Sequence, residues 1–173
     1  MPGGNGWFDR NSLSFARGVE VIFGAIWGID GTLKFVPGVV QAFPQVLRQA
    51  ASGQPQWLLG WFSFWSGAGA VHPALLVYSV GLLELALAFS LIFGFMRRIG
   101  YPGGVLLSLL IWSVPEGLGG PYGPGSTDIG TGIIYAIAFL MLIALNAACG
   151  SGRPSLDGVI AKRVKWWKKL AEF

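Results

Sequence analysis

The chain has 173 residues, of which 53% are hydrophobic and only 12% carry a charge. A soluble domain carries about 25% charged residues, so this composition excludes an ordinary soluble protein. The mean hydropathy of +0.60 also excludes disorder, which requires low hydrophobicity and high net charge. The chain is therefore expected to be an integral membrane protein with at most about five crossings of about 20 residues each.

The charge and the rare residue types exclude several kinds of site. The net charge is only +4 and the basic residues lie at the ends of apolar stretches, which favours a membrane rim over nucleic acid. Cys149 and His72 are the single cysteine and histidine. They exclude an internal disulfide, a cysteine-ligated zinc or iron–sulfur site and a bis-histidine haem within this chain. No flavin-binding site and no other metal-binding site is recognisable in the sequence either.

Four apolar stretches predict transmembrane helices. In chain order they are Leu13 to about Phe35, Pro73 to Phe95, Tyr101 to Val114, and Ile129 to Ala148. The first stretch carries charged residues, but these lie near its ends, where side chains can reach the interface. The sequence therefore predicts an all-α membrane protein with a four-transmembrane-helix bundle.

The segment between the first and second stretches, Pro37 to His72, is expected on the outer side. Apolar residues recur there at helical spacing, which predicts a short amphipathic helix bent at Pro44. Trp57, Trp61 and Trp65 follow at intervals of four residues and share one face. Because tryptophan favours the membrane interface, they indicate an interfacial segment.

The segment Pro115 to Gly132 joins the third stretch to the fourth and contains seven glycines and three prolines. It lacks the GK[ST] sequence of a P-loop and no strand precedes it, so a nucleotide cradle is not supported. Close helix packing or a loop lid explains the composition better. Ser126, Thr127 or Asp128 would cap the last membrane helix.

Residues 151–173 form a basic tail after the membrane domain. Ile160, Val164, Trp167 and Ala171 recur at helical spacing beside lysine and arginine side chains. This pattern predicts a basic amphipathic helix on the anionic cytoplasmic leaflet. The alternative is a frayed and solvated tail.

The distribution of basic residues predicts the topology. Ten of the twelve lie on one side of the four predicted spans, whereas Lys34 and Arg48 lie on the other. The positive-inside rule then places both termini of this multi-pass protein in the cytoplasm. Residues 1–12 would form a cytoplasmic N-terminal segment, without a cleaved signal peptide, and residues 13–150 the membrane domain.

Glu84 lies in the middle of the second predicted span. An ionised carboxylate is costly at that depth, so Glu84 should be either protonated or paired inside the bundle. It could transfer protons or bind a polar ligand, or it could be a neutral group bonded to a neighbouring helix. The candidate partners for that structural role are Tyr78, Ser79, Ser108 and Tyr135.

Two pairs of opposite charge share a helix face in the first span. Arg17 and Glu20 are three residues apart, and Asp30 and Lys34 are four apart, so local neutralisation is the simplest interpretation. Asp30 and Lys34 also open onto the outer side, where a polar pocket could form. Glu116 and Asp128 would lie near that pocket.

Three stretches together resemble one family. They are WGIDGTLKFVPG at Trp27 to Gly38, SGAGAVHP at Ser66 to Pro73, and PEGLGGPYGPGSTDIGTGIIYAI at Pro115 to Ile137. They are similar to the DoxX/DoxD family of small integral membrane proteins, which includes the small subunit of thiosulfate:quinone oxidoreductase. The resemblance covers roughly residues 13–150 and implies a compact four-helix membrane bundle.

The resemblance also implies an activity. Relatives similar to the DoxD subunit oxidise thiosulfate to tetrathionate and pass electrons to membrane quinone, alongside a second subunit. This chain is then expected to be a membrane subunit of a respiratory oxidoreductase, with quinone as substrate. The alternatives are a non-catalytic accessory subunit of a larger complex and a small-molecule carrier.

The candidate site residues follow from that hypothesis. Lys34 and Arg48, the two outer basic residues, would attract an anionic substrate. Asp30, Glu116 or Glu84 would handle quinone protons as catalytic residues. The further substrate-binding candidates on the outer side are Trp61, Trp65 and Asp128.

Overall fold

The chain folds into a helical bundle in the computed structural model, which describes residues 7–120, 128–149 and 155–171. Within these ranges there are helices and no strands, which confirms the all-α prediction. The helices are α1 (Trp7–Leu33), α2 (Val39–Ala51), α3 (Leu59–Val71), α4 (Pro73–Phe93), α5 (Arg97–Ser113), α6 (Thr131–Cys149), α7 (Leu156–Ala161) and α8 (Lys168–Ala171). Single 3-10 turns occur at Gln56–Leu58, Gly117–Gly119 and Lys165–Trp167.

Helix α1 packs along α4 through glycines that let the two backbones approach closely. A Cβ atom on Gly31 would lie 2.9 Å from Leu85 Cγ and 3.0 Å from the carbonyl oxygen of Gly81. A Cβ atom on Gly81 would in turn lie 2.9 Å from Lys34 Cβ. The contact therefore places Lys34, the residue after the end of α1, directly over α4, within one helical turn of Glu84.

Helices α5 and α6 form the second tightly packed pair. The ring of Phe139 on α6 lies against Gly104 of α5, where no side chain intervenes. Phe139 also contacts two rings of α1, with centroid distances of 5.0 Å to Phe23 and 5.6 Å to Trp27. This aromatic cluster joins the α1–α4 pair to the α5–α6 pair.

Many apolar side chains are exposed on the surface of the bundle, and several polar side chains are buried inside it. On α1 six exposed apolar residues follow each other at alternating intervals of four and three, which makes one continuous stripe along the exposed face of the helix. The stripe consists of Phe15, Val19, Ile22, Ile26, Ile29 and Leu33. The buried polar residues include Glu20, Glu84, Ser90, Arg97, Ser108, Asn146 and Asp157.

The helices differ in how well they could cross a membrane. Among the described residues, α4 is the one helix that is both long and apolar enough, with 21 residues and a mean hydropathy of 2.2. The apolar part of α6 is shorter. Helix α5 has 17 residues and begins with two arginines, and α1 begins at Trp7, before the first predicted apolar stretch.

The predicted outer segment is helical. Helix α2 contains Pro44 and buries Leu47 and Ala50, which confirms a helix at this place. The tryptophan-rich part is a second helix, α3, that contains Trp61 and Trp65. Helix α2 packs on both α3 and α4.

The tail is not the single amphipathic helix that its periodicity predicted. Two short helices, α7 and α8, are separated by a 3-10 turn. A continuous helix would separate Asp157 from Trp167 by about 15 Å along its axis. The bend instead brings the indole Nε1 of Trp167 to 2.9 Å from Asp157 Oδ1, where it donates a hydrogen bond.

A buried ion pair anchors the tail where α4 meets α5. Asp157 Oδ2 lies 3.5 Å from Arg97 Nε, and the backbone N–H groups of Met96 and Arg97 donate to the same carboxylate. Trp167 packs on Phe95, with 5.5 Å between the ring centroids, and Ala171 is buried. The predicted apolar stripe therefore packs in part against the bundle.

The close approach of α1 and α4 predicts the effect of adding one methyl group. Gly31→Ala should lower the free energy of unfolding by about 1 to 3 kcal/mol, because the backbone of α4 blocks the new Cβ atom. Gly18→Ala is the matched control, since nothing lies within 4 Å of its Cβ position on the same helix. Chemical denaturation of the purified protein in detergent measures both, and equal stabilities would contradict the packing described here.

Candidate functional site

Four of the predicted site residues line one polar cavity. The cavity has a volume of about 160 Å³ and lies between α1, α4, α5 and α6. Asp30 reaches it from α1 and Glu84 from α4, while Lys34 directly follows α1 and Glu116 follows α5. Residues that are far apart in the sequence thus come together, as expected if a polar pocket forms beside Asp30 and Lys34.

Lys34 and Glu84 form an ion pair at the wall of this cavity. Lys34 Nζ lies 3.0 Å from Glu84 Oε2, and the Glu84 side chain is 2% exposed, against 30% for Lys34. Of the two alternatives for Glu84, protonated or paired, the structure shows the pair. Its partner is a lysine rather than a hydroxyl or amide group.

The expected pairing of Lys34 with the Asp30 side chain is corrected by this geometry. Lys34 Nζ lies 3.4 Å from the backbone carbonyl oxygen of Asp30, while its ion pair is with Glu84. The glycine contact between α1 and α4 brings Glu84 within reach, an effect that spacing along one helix could not reveal. Asp30 remains in the wall of the cavity.

The predicted pair of Arg17 and Glu20 is confirmed, with 2.9 Å between Nη1 and Oε2. Arg17 also donates hydrogen bonds to the backbone carbonyls of Leu91 and Ile92 on α4. These hydrogen bonds lie near one end of the interface between α1 and α4, and the cavity lies towards the other end. Arg17 and Glu20 therefore attach α1 to the end of α4.

Glu116 caps helix α6 as well as lining the cavity. Its Oε1 accepts a hydrogen bond from Thr131 Oγ1 at 2.5 Å, and its Oε2 accepts one from the Gly132 N–H at 2.9 Å. A carboxylate at a helix N-terminus is stabilised by the exposed N–H groups and the helix dipole. Both oxygens are thus engaged, which favours a structural role over the catalytic role that was predicted.

The predicted cap residues do not provide this contact within the described chain. Ser126 and Thr127 lie outside the described residues. Asp128 is exposed, and its Oδ1 accepts a hydrogen bond from the Gly130 N–H at 2.7 Å. The cap of α6 comes instead from a residue fifteen positions before Thr131.

Three predicted substrate-binding residues line neither the cavity nor the groove that adjoins it. Arg48 is exposed on α2, and its guanidinium donates to Gln45 Oε1 at 2.9 and 3.1 Å. Trp61 donates its indole N–H to the backbone carbonyl of Ser113 at 3.1 Å, which ties α3 to the end of α5. Asp128 lies in the loop before α6. Lys34 is consequently the one predicted cation that lines the cavity.

An apolar groove adjoins the polar cavity. It has a volume of about 470 Å³ and is lined by residues of α1 to α5 and of the segment that follows α5. Lys34, Ile111 and Glu116 belong to the walls of both spaces. Trp65, a predicted substrate-binding residue, lines the groove. The two spaces together suit a molecule with a small polar head and an apolar tail.

The sequence did not single out four residues that line the cavity, namely Trp27, Ile111, Thr131 and Gly132, and it gave two others a narrower role. Trp27 lines the cavity but was not singled out, although it shares a helix face with Asp30 and Lys34 through its spacing. Ser108 and Tyr135 were considered only as partners of Glu84, and both line the cavity.

No protein-family model, curated protein or solved structure matches the chain. The interpretation of the site depends therefore on its own residues and geometry.

The ion pair predicts non-additive effects on stability. Lys34→Met or Glu84→Gln alone should lower the free energy of unfolding by about 3 kcal/mol, because each leaves one charge at the cavity without its partner. The double variant should lose about 1 to 3 kcal/mol less than the sum of the two.

Chemical denaturation in detergent of the wild type, the two single variants and the double variant gives the free energies of unfolding for this double-mutant cycle. Arg48→Met is the control, because it removes an exposed cation whose hydrogen bonds stay on one helix, and its effect should remain within about 0.5 kcal/mol. Additive effects of the two single changes would show that Lys34 and Glu84 do not interact.

Proposed function

We propose that the chain is a four-span integral membrane protein with a quinone-binding site, acting as a membrane subunit of a respiratory oxidoreductase. Helices α1, α4, α5 and α6 would be the spans. Their exposed apolar stripes and buried polar groups support this arrangement, because lipid rather than water is the favourable solvent for such a surface. The apolar length of α4 agrees with it.

The proposed topology places both termini in the cytoplasm. Lys162, Arg163, Lys168 and Lys169 are exposed on the tail, together with Trp166, which is 61% exposed. Basic residues and an exposed tryptophan suit the surface of an anionic leaflet. The tail would therefore contact the bilayer with these side chains while Asp157 and Trp167 hold it to the bundle.

The polar cavity beside an apolar groove is the observation that carries the quinone proposal. A quinone has a small ring with carbonyl oxygens and a long prenyl tail. The ring would occupy the cavity beside Lys34 and Glu84, and the tail would follow the groove past Ile111 and Trp65. This division of polar and apolar contacts is typical of sites for amphipathic ligands.

Reduction of a quinone to a quinol consumes two electrons and two protons. Lys34 and Glu84 lie where they could deliver protons to a ring oxygen, and Asp30 lies in the same wall. The electrons would come from a reduced sulfur compound, as the resemblance to the DoxX/DoxD family implies. Two thiosulfate ions supply two electrons when they form one tetrathionate. That oxidation would take place with a partner subunit.

A non-catalytic accessory role is the second candidate, and specific contacts favour it. Glu116 is engaged in capping α6, and Lys34 and Glu84 neutralise each other, as purely structural groups would. Co-purification of the native complex followed by a quinone-reduction assay separates the two candidates. An accessory subunit can be altered at the cavity without loss of turnover, whereas a quinone-binding subunit cannot.

The topology predicts the location of inserted reporters. A reporter fused after Phe173 should be active in the cytoplasm, and a tag inserted at Ser52 should be accessible from outside the cell. Protease protection of sealed vesicles checks both sites, with a tag at Asp128 as a second external site. An external C-terminal reporter would contradict the four-span proposal, because it demands an odd number of crossings with an internal N-terminus.

The junction of cavity and groove predicts a way to block ligand binding. Ile111→Trp should weaken the binding of decylubiquinone to the protein in lipid nanodiscs by about tenfold or more, because the larger ring fills the passage that Ile111 lines. Leu106→Trp, at an exposed position of the same helix, is the control. Equal affinity of the wild type and Ile111→Trp would contradict the proposed site.

A further inference from the structure

Two buried hydrogen-bond donors in the polar cavity have no acceptor among the described residues. The indole Nε1 of Trp27 and the hydroxyl of Ser108 are both without a hydrogen-bond partner there. Trp27 is 1% exposed and Ser108 is 0% exposed, and both line the cavity. Buried polar groups are almost always satisfied, so an acceptor from outside the protein is expected at this place.

The chemistry of the two groups defines what this acceptor is. An indole N–H can only donate a hydrogen bond, and a serine hydroxyl can donate one in any direction about its C–O bond. An atom that satisfies the Trp27 indole must therefore accept a hydrogen bond, and Ser108 can donate to an acceptor in the same cavity. A carbonyl oxygen, with two lone pairs, meets this requirement.

The charges around the cavity argue against an anionic head. Asp30, Glu84 and Glu116 present three carboxylates, whereas Lys34 is the one lysine among the described residues of the wall. Lys34 is already paired with Glu84, and Arg48 does not contribute. A sulfur anion such as thiosulfate would face a surplus of negative groups in a small space.

We propose that Trp27 and Ser108 bind a carbonyl oxygen on the uncharged head of a ligand whose apolar tail lies in the adjoining groove. This inference rests on the proposed quinone site and deepens it. Trp27 and Ser108 then select the head, and the three carboxylates exclude the anionic substrate from this cavity. Oxidation of the anion therefore belongs to a different surface, on this chain or on a partner subunit.

Two conservative variants test the proposal in nanodiscs. Trp27→Phe keeps an aromatic ring beside Tyr135 and Phe139 but removes the N–H group, and Ser108→Ala removes only the hydroxyl. The matched controls are Trp57→Phe and Ser79→Ala, which change the same chemical groups at exposed positions. Decylubiquinone is the probe, with decylbenzene as a competitor that has the same tail and no carbonyl.

Each cavity variant should bind decylubiquinone about tenfold more weakly, the size expected for the loss of one buried hydrogen bond, and the controls should bind as the wild type does. Decylbenzene should compete poorly, and millimolar thiosulfate should not compete at all. The infrared C=O stretch of bound, isotopically labelled decylubiquinone should lie at lower frequency in the wild type and return upward in each variant. The infrared readout reports the hydrogen bond itself, even if a variant is less stable.

The outcomes separate this inference from the function on which it rests. If the wild type binds decylubiquinone and both variants bind it equally well with an unchanged C=O stretch, water fills the cavity and the inference fails while the quinone site stands. Displacement of decylubiquinone by thiosulfate would overturn the uncharged head. Failure of the wild type to bind decylubiquinone would overturn the quinone site and the inference together.

Discussion

The close contact of α1 with α4 is the constraint on which the cavity depends. Gly31 and Gly81 allow the backbones to approach, and this approach places Lys34 beside Glu84 at 3.0 Å. The Glu84 carboxylate is buried, so its charge would be costly without a partner, and the partly exposed Lys34 ammonium supplies that partner. The two glycines and the two charged residues therefore act together, and the polar wall of the cavity exists because the helices meet so closely.

The distribution of polar and apolar side chains explains both the exposed surface of the bundle and its polar cavity. The exposed face of α1 is an apolar stripe, whereas several polar side chains are buried, where they form ion pairs or line the cavity. Glu116 has both roles, since its carboxylate caps α6 and also lines the cavity. At the other end of the bundle, the ion pair of Arg97 with Asp157 holds the tail in place.

Helical periodicity and charge were sufficient to predict the four long helices and to single out Glu84, Lys34 and Asp30. These features depend on local spacing and on the cost of a charge in an apolar run, which a sequence displays directly. The partner of Glu84, the cap of α6 and the bent tail depend on contacts between segments far apart in the chain. The sequence does not contain these distances, and so Arg48 and Asp128 were assigned to a site that they do not reach, while Trp27 was overlooked.

A density map of the protein in lipid nanodiscs with bound decylubiquinone would test the account most directly. It should show the quinone ring in the cavity beside Lys34 and Glu84, with one ring oxygen at hydrogen-bonding distance from Trp27 Nε1 or Ser108 Oγ. Its tail should follow the groove past Ile111. A map with the quinone elsewhere, or with Lys34 turned away from Glu84 and the cavity closed, would contradict it.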